Sequence, residues 1–208
     1  MPSPKSSSKK SEAPSSSQKH NEPTTNSNHK NYKVISAYKQ LGPSIKSLGC
    51  ETLHLDISSP DSISSFAKTI GSQPIDLLLN VAGVMVPHDA DTISTVDIAK
   101  FQSTFAVNTF GPLLLTQALL PNILASQQPK IAVMSSRVGS MGDNSSGGSY
   151  SYRASKAAVN SLFKSLAVDL KEKGVPVLLL HPGIVKTGLD PRNKEGGVPG
   201  AVEPEMAA

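Results

Sequence analysis

The chain has 208 residues and a formal net charge of +4, enough length for one domain with a core of its own. Five lysines against two glutamates within the first 31 residues account for most of that charge. The remainder is near neutral and shows no basic stripe with interleaved aromatics, which argues against nucleic-acid binding. A single cysteine, Cys50, excludes an internal disulfide and a cysteine-based metal cluster. No apolar run is long enough to span a membrane, and the N-terminus lacks the apolar stretch of a secretory signal, so a soluble cytoplasmic protein is expected.

Residues 1–31 hold nine serines and four prolines, with Met1 and Ala13 as their only apolar side chains. Such a segment cannot bury enough surface to offset its conformational entropy and is predicted to be disordered. Order is expected from residue 32 to residue 188. Val34–Tyr38 reads as a short strand, Ser44–Leu48 as a turn of helix, and Thr52–Ile57 as the next strand. Ser59 as N-cap, Pro60 at the first helical position and Asp61 in the first turn announce a helix. Ile63, Phe66, Ala67 and Ile70 then give it an apolar face, and Gly71 ends it.

Ile75–Asn80 is a continuous apolar strand of the kind buried on both faces of a parallel sheet. It leads into Val81-Ala82-Gly83, small enough to let a ligand approach the backbone. Val96–Ala125 reads as a long helical region disturbed near Gly111-Pro112, with Asn108 inside its apolar stripe. Lys130–Ser136 is another buried strand ending in two serines. A Gly/Ser-rich loop then delivers the chain to a helix predicted over Tyr152–Lys173. Val175–Leu180 is the last predicted strand. Residues 189–208 read as a polar tail with no further strand.

Tyr152 and Lys156 lie one helical turn apart on one face, whereas Tyr150 and Lys156 do not. A phenol beside an ammonium is an acid–base device, because a neighbouring cation favours the phenolate. The alternation of strands and helices predicts an α/β fold with a doubly wound parallel sheet. Ligands of such folds sit at the carboxyl ends of the strands, where Asp56, Asn80, Ser135, Ser136 and Pro182-Gly183 all fall.

In these features the sequence resembles the short-chain dehydrogenase/reductase family, closest to its carbonyl-reductase-like members, from about Val34 to Gly188. The resemblance rests on Leu55-Asp56-Ile57, Asn80-Val81-Ala82-Gly83, Val107-Asn108, Met134-Ser135-Ser136, Tyr152-x-x-x-Lys156 and His181-Pro182-Gly183-Ile184-Val185-Lys186-Thr187. It implies a Rossmann-like fold and NADP(H)-dependent interconversion of carbonyls and alcohols, with NAD(H) as the alternative cofactor and no metal. Tyr152 would be the general acid, Lys156 would tune it and hold the nicotinamide ribose, and Ser136 would orient the substrate carbonyl. Asn108 would hold a relay water. Asp56 would meet the adenine, and Asn80, Ala82, Gly83, Pro182, Gly183, Val185 and Thr187 would line the cofactor. The family's two long helices imply a homodimer.

The family opens with a strand and Thr-Gly-x-x-x-Gly-x-Gly, whose backbone amides hold the pyrophosphate. That motif is missing here, as are the first strand and first helix, and no counterpart of the last strand and helix follows Gly188. The resemblance therefore implies an incomplete sheet and weakened cofactor binding. In the family's strand order the missing strand lies between those matching Val34–Tyr38 and Ile75–Asn80, unless these two close up and pair. Two alternatives stand beside the enzyme: a non-catalytic relative acting through dimerisation or partner binding, and a truncated version of a complete enzyme.

Overall fold

The computed structural model describes residues 33–39, 49–190, 192 and 198–206. The predictions for residues 1–31 and for Ser44–Leu48 fall outside these. Within them, strands and helices alternate in an α/β arrangement, and all strand pairing inside the sheets is parallel. Strand β1 (Ile35–Tyr38) pairs with β2 (Glu51–His54), Ile35 opposite Glu51. Strands β3 (Leu77–Asn80), β4 (Lys130–Met134) and β5 (Val177–Leu180) form a second sheet in the order β3-β4-β5. Among the described residues β1 has no strand partner but β2, and β3 none but β4. The two strands have not closed up: β1 and β3 are not paired with each other.

Helix α1 (Pro60–Ile70) begins as predicted, with the Ser59 hydroxyl accepting from Ser62 N, and ends at Gly71. Its Ile63, Phe66 and Ile70 enter the core. The helical region after Asp97 is divided more finely than periodicity foretold. It comprises α2 (Ile98–Phe105), a π-helical segment (Ala106–Phe110), α3 (Gly111–Ala118) and α4 (Leu120–Leu124). The disturbance thus lies immediately before Gly111-Pro112, in the turn that carries Asn108. Glycine at 111 is required by a close approach: a Cβ there would stand 2.5 Å from the Ile57 carbonyl oxygen and 2.7 Å from Ile57 Cγ1. Helix α5 spans Tyr150–Asp169, two residues earlier at its start than predicted, followed by a 3-10 turn at Lys171–Lys173 and Gly174 at φ 67°.

One core joins both sheets, built from Leu55 and Ile57 beyond β2, Ile131 and Val133 of β4, and Val159 and Phe163 of α5. The expectation that Ile75–Asn80 is buried on both faces is not met. Leu77 and Leu79, alternate residues on one face of β3, are 53% and 46% exposed. Alternate side chains share a face, and no described element covers that one. Beyond β5 an isolated parallel bridge joins Val185 to Val202, flanked by an ion pair between Lys186 and Glu203.

Candidate active site

Strand β4 and helix α5 bring the chemistry together. Beyond Met134 the chain leaves the sheet through two serines whose side chains part, as strand alternation requires. The Ser135 hydroxyl donates to Asn160 Oδ1 at 2.5 Å within α5. Ser136 stands near the Tyr152 phenol and favours its phenolate form. Lys156, one turn along α5, places its ammonium 5.7 Å from the centre of the Tyr152 ring and donates to the Met134 carbonyl at 2.8 Å. Lys156 is only 3% exposed, and Tyr152 is buried beside it.

Burial governs the acid–base properties of this pair. The Tyr152 phenol is pushed above its ordinary value by burial, with Ser136 opposing and Asp190 adding to the rise. The Lys156 ammonium is pulled down from 10.5 to about 8 by burial. Desolvation disfavours whichever form is charged, so the two shifts have one cause and opposite directions. The sequence-based expectation that Lys156 lowers the tyrosine's pKa is therefore not the dominant effect here. Tyr150, the competing phenol, sits at the first position of α5 and is exposed.

Gly83 closes in on this centre. A Cβ built on it would lie 3.5 Å from Asn108 Oδ1 and 3.7 Å from Lys156 Nζ. Asn108 is buried, and its side chain ties three segments together. Its Oδ1 accepts from Val84 N at 2.8 Å, while Nδ2 donates to Val84 O at 2.9 Å and Ser155 Oγ at 3.1 Å. A side chain so engaged is a clamp between the Gly83 turn and α5. Asn80, at the end of β3, is 4% exposed and donates to the Ala132 carbonyl at 3.3 Å, while its Oδ1 has no partner among the described residues. A buried acceptor without a donor costs about 1–3 kcal/mol. Ala82 is exposed at the same strand end.

The remaining expected residues flank this centre. Pro182 and Gly183 follow β5 and are exposed, with Gly183 at φ 82°. Thr187 N donates to the Val185 carbonyl at 2.8 Å. Asp56 lies beyond β2, in the other sheet. Its carboxylate accepts from Ser58 N and Ser58 Oγ and pairs with Lys39 at 2.6 Å, which holds its pKa down at about 2. Sequence reasoning missed one residue beside the site: Asp91, wholly buried, whose carboxylate meets the first turn of α5. Its bonds span 60 positions, and no local pattern betrays them. No group of His, Cys, Asp and Glu among the described residues could hold a metal ion.

Comparison with known proteins identifies the family. The profile of the short chain dehydrogenase family matches residues 25–196. The 1-hydroxy-2-glutathionyl-2-methyl-3-butene dehydrogenase of Rhodococcus sp. (strain AD45) is 40% identical over 137 residues, which is 65% of this chain and 58% of that protein. The C-signal of Myxococcus xanthus is 40% identical over 125 residues, 60% of this chain and 74% of that protein. Among solved structures, NADPH-bound carbonyl reductase from chicken fatty liver superposes with a TM-score of 0.72 at 27% identity, covering 83% of this chain and 75% of that one. The carbonyl reductase Sniffer of D. melanogaster gives 0.68 at 28% identity, covering 79% and 69%. The chain thus spans little more than half the length of the Rhodococcus protein. With a family profile matched over most of its length and the same fold, the chain belongs to the short-chain dehydrogenase family.

Proposed function

We propose that the chain is an oxidoreductase that interconverts carbonyls and alcohols with NADP(H), Tyr152 acting as general acid/base. The observation that carries this reading is the meeting of the Tyr152 phenol, the Ser136 hydroxyl and the Lys156 ammonium at the end of β4. When bound, the nicotinamide supplies or takes the hydride. Ser136 holds the substrate carbonyl oxygen, and the Tyr152 phenol gives that oxygen its proton. Burial favours the neutral phenol, the form that donates a proton in the reducing direction. Lys156, at about 8, can exchange a proton with the phenolate left behind. Asn108 takes part by fixing Val84 and Ser155, and a relay water would find its place beside it.

The donor set suits the nicotinamide half of the cofactor. Lys156 spends one of its three protons on Met134 O, leaving two for the ribose hydroxyls. Gly83, Ala82, Pro182, Gly183, Val185 and Thr187 would flank the ring and ribose, and the unpartnered Asn80 Oδ1 leaves an acceptor at the same strand end. Toward the adenine, Asp56 and Lys39 stand as an ion pair, with Lys39 available to a 2′-phosphate and hence favouring NADP(H) over NAD(H). The chicken carbonyl reductase was solved with NADPH bound, which supports the same choice. In this reading the protein acts in the cytoplasm as a homodimer, its exposed Ile98, Phe110 and Leu114 forming the contact face. No described helix is long and apolar enough to cross a membrane.

The test is NADPH consumption against a panel of aldehydes and ketones. Tyr152→Phe should remove most of the activity and Tyr150→Phe should leave it. Equal activity in both variants would overturn the assignment. A second reading is favoured by likeness to a protein named as a signal. In it the chain binds a partner and not the cofactor. An NADPH titration by calorimetry that shows no binding, with the chain folded, would select this second reading.

A further inference from the structure

We propose that Asp91 is a positioning residue for Tyr152, holding the first turn of α5 so that the phenol keeps its place beside Ser136 and Lys156. The helix cannot cap itself. Ser149, the residue before it, adopts the left-handed conformation (φ 49°, ψ 48°), and its side chain makes no capping bond. Its hydroxyl meets His88 Nδ1 at 3.2 Å instead. The first N–H groups of any helix have no partner within it, so those of Tyr150, Ser151 and Tyr152 must find acceptors elsewhere.

Asp91 supplies all of them. Its backbone carbonyl accepts from Tyr150 N at 3.4 Å. Its carboxylate accepts from Ser151 N at 3.0 and 3.1 Å, from Ser151 Oγ at 2.8 Å and from Tyr152 N at 3.3 Å. The residue is 0% exposed, and among the described residues the hydrogen-bond partners of its side chain lie in this helix end. A buried carboxylate is costly unless bonded; here the positive end of the helix dipole and three donors compensate it.

The arrangement goes beyond a cap because one of the bonds is to the backbone of Tyr152 itself. Ser151, next to it, also accepts from Thr104 Oγ1 of α2 at 3.4 Å. On the other side of the tyrosine, Thr109 Oγ1 donates to Ser155 O at 3.0 Å and Asn108 Nδ2 to Ser155 Oγ. Tyr152 is thus pinned from before and after. Removing Asp91 releases the N-terminal pin and lets the first turn fray, moving the phenol relative to Ser136, which is anchored on β4.

The catalytic part of this inference rests on the oxidoreductase reading; the positional part does not. The experiment therefore has two readouts on Asp91→Ala, Asp91→Asn and, as a control, Asn122→Ala. Asn122 joins Gly71 O and Gln73 O far from the site, so its loss destabilises without touching α5. The first readout is the fluorine resonance of 3-fluorotyrosine at position 152, assigned by its disappearance in Tyr152→Phe. It should shift and broaden in Asp91→Ala at a temperature where the chain is folded, move less in Asp91→Asn, which keeps one acceptor oxygen, and stay in place in Asn122→Ala. The second readout is kinetic: kcat should fall by about a hundredfold in Asp91→Ala, the scale of a small misplacement of a reacting group, with KM nearly unchanged. If Asp91→Ala does not fold, Asp91→Asn carries both readouts. A Tyr152 resonance that stays in place in the folded Asp91 variants overturns the proposal, as does an equal fall of kcat in Asn122→Ala. A wild-type chain without carbonyl reduction defeats the oxidoreductase reading alone, and the resonance still decides the role of Asp91.

Discussion

Replacing Lys156 with methionine should make the protein more stable at neutral pH. The side chain is 3% exposed, and burial draws its pKa from 10.5 to about 8. Below pH 8 the ammonium is charged in both folded and unfolded chains, and the folded state bears the full cost of desolvating it. Between pH 8 and 10.5 the folded chain gives up the proton while the unfolded chain keeps it, so stability rises with pH. The gap between 10.5 and about 8 corresponds to roughly 3 kcal/mol at about 1.4 kcal/mol per pH unit, realised between about pH 8 and 10.5. Tyr152 acts oppositely, but its raised pKa makes itself felt only above its ordinary value of 10.0. Methionine fills nearly the same volume without the charge; it loses the bond to Met134 O, worth about 1 kcal/mol. The net gain at pH 7 is then roughly 1–2 kcal/mol, or a Tm higher by about 5 °C. Urea unfolding of wild type and Lys156→Met from pH 7 to 10 tests this. Wild type should gain stability across that range relative to the variant. Parallel curves would refute the reasoning, and with it the claim that this lysine is retained against a stability cost for its chemistry.

Gly111→Ala sets two effects against each other. Alanine improves helix propensity by about 1 kcal/mol, but its Cβ would stand 2.5 Å from the Ile57 carbonyl and 2.9 Å from that of Ala106. Both obstacles are backbone, so overpacking of about 1–3 kcal/mol or more should win. Denaturant unfolding should show a net loss, and Gly142→Ala, with open space around its Cβ, should be neutral. For assembly, light scattering at micromolar concentration should give the mass of a dimer, and Phe110→Asp, on the exposed face, should give that of a monomer.

What was legible in the sequence was what local geometry controls. The one-turn spacing of Tyr152 and Lys156 put both on one face of α5, and strand alternation separated Ser135 from Ser136. Ser59 and Pro60 fixed the start of α1 through a bond that spans three residues. What stayed hidden depends on partners remote in the chain. The π-helical turn at Ala106–Phe110 rotates Asn108 toward Val84 and Ser155, 24 and 47 positions away. No periodicity argument contains those distances. The exposure of Leu77 and Leu79 is likewise a property of what lies over β3, since an apolar run carries the same pattern whether or not its second face is covered.

The division between β1 and β3 bears on how the proposed activity is distributed. Strand β1 stays in register with β2, and that pairing is reinforced at the end nearest the site by Leu55 N donating to Tyr38 O at 2.7 Å and by the Lys39–Asp56 ion pair. Moving β1 beside β3 would sacrifice this ladder to make another of four residues, with no net gain in bonds. The residues proposed for proton transfer, Ser136, Tyr152 and Lys156, stand just after β4 and on α5. The residues proposed for the adenine side, Lys39 and Asp56, stand just after β1 and after β2. Gly111, which follows the π-helical turn, packs near the Ile57 carbonyl, 2.5 Å from where a Cβ on it would stand. Asn108 lies in that same turn. The turn that packs on the chain beyond β2 is thus the one whose Asn108 binds Val84 and Ser155, so the two sheets and the start of α5 meet through one short segment.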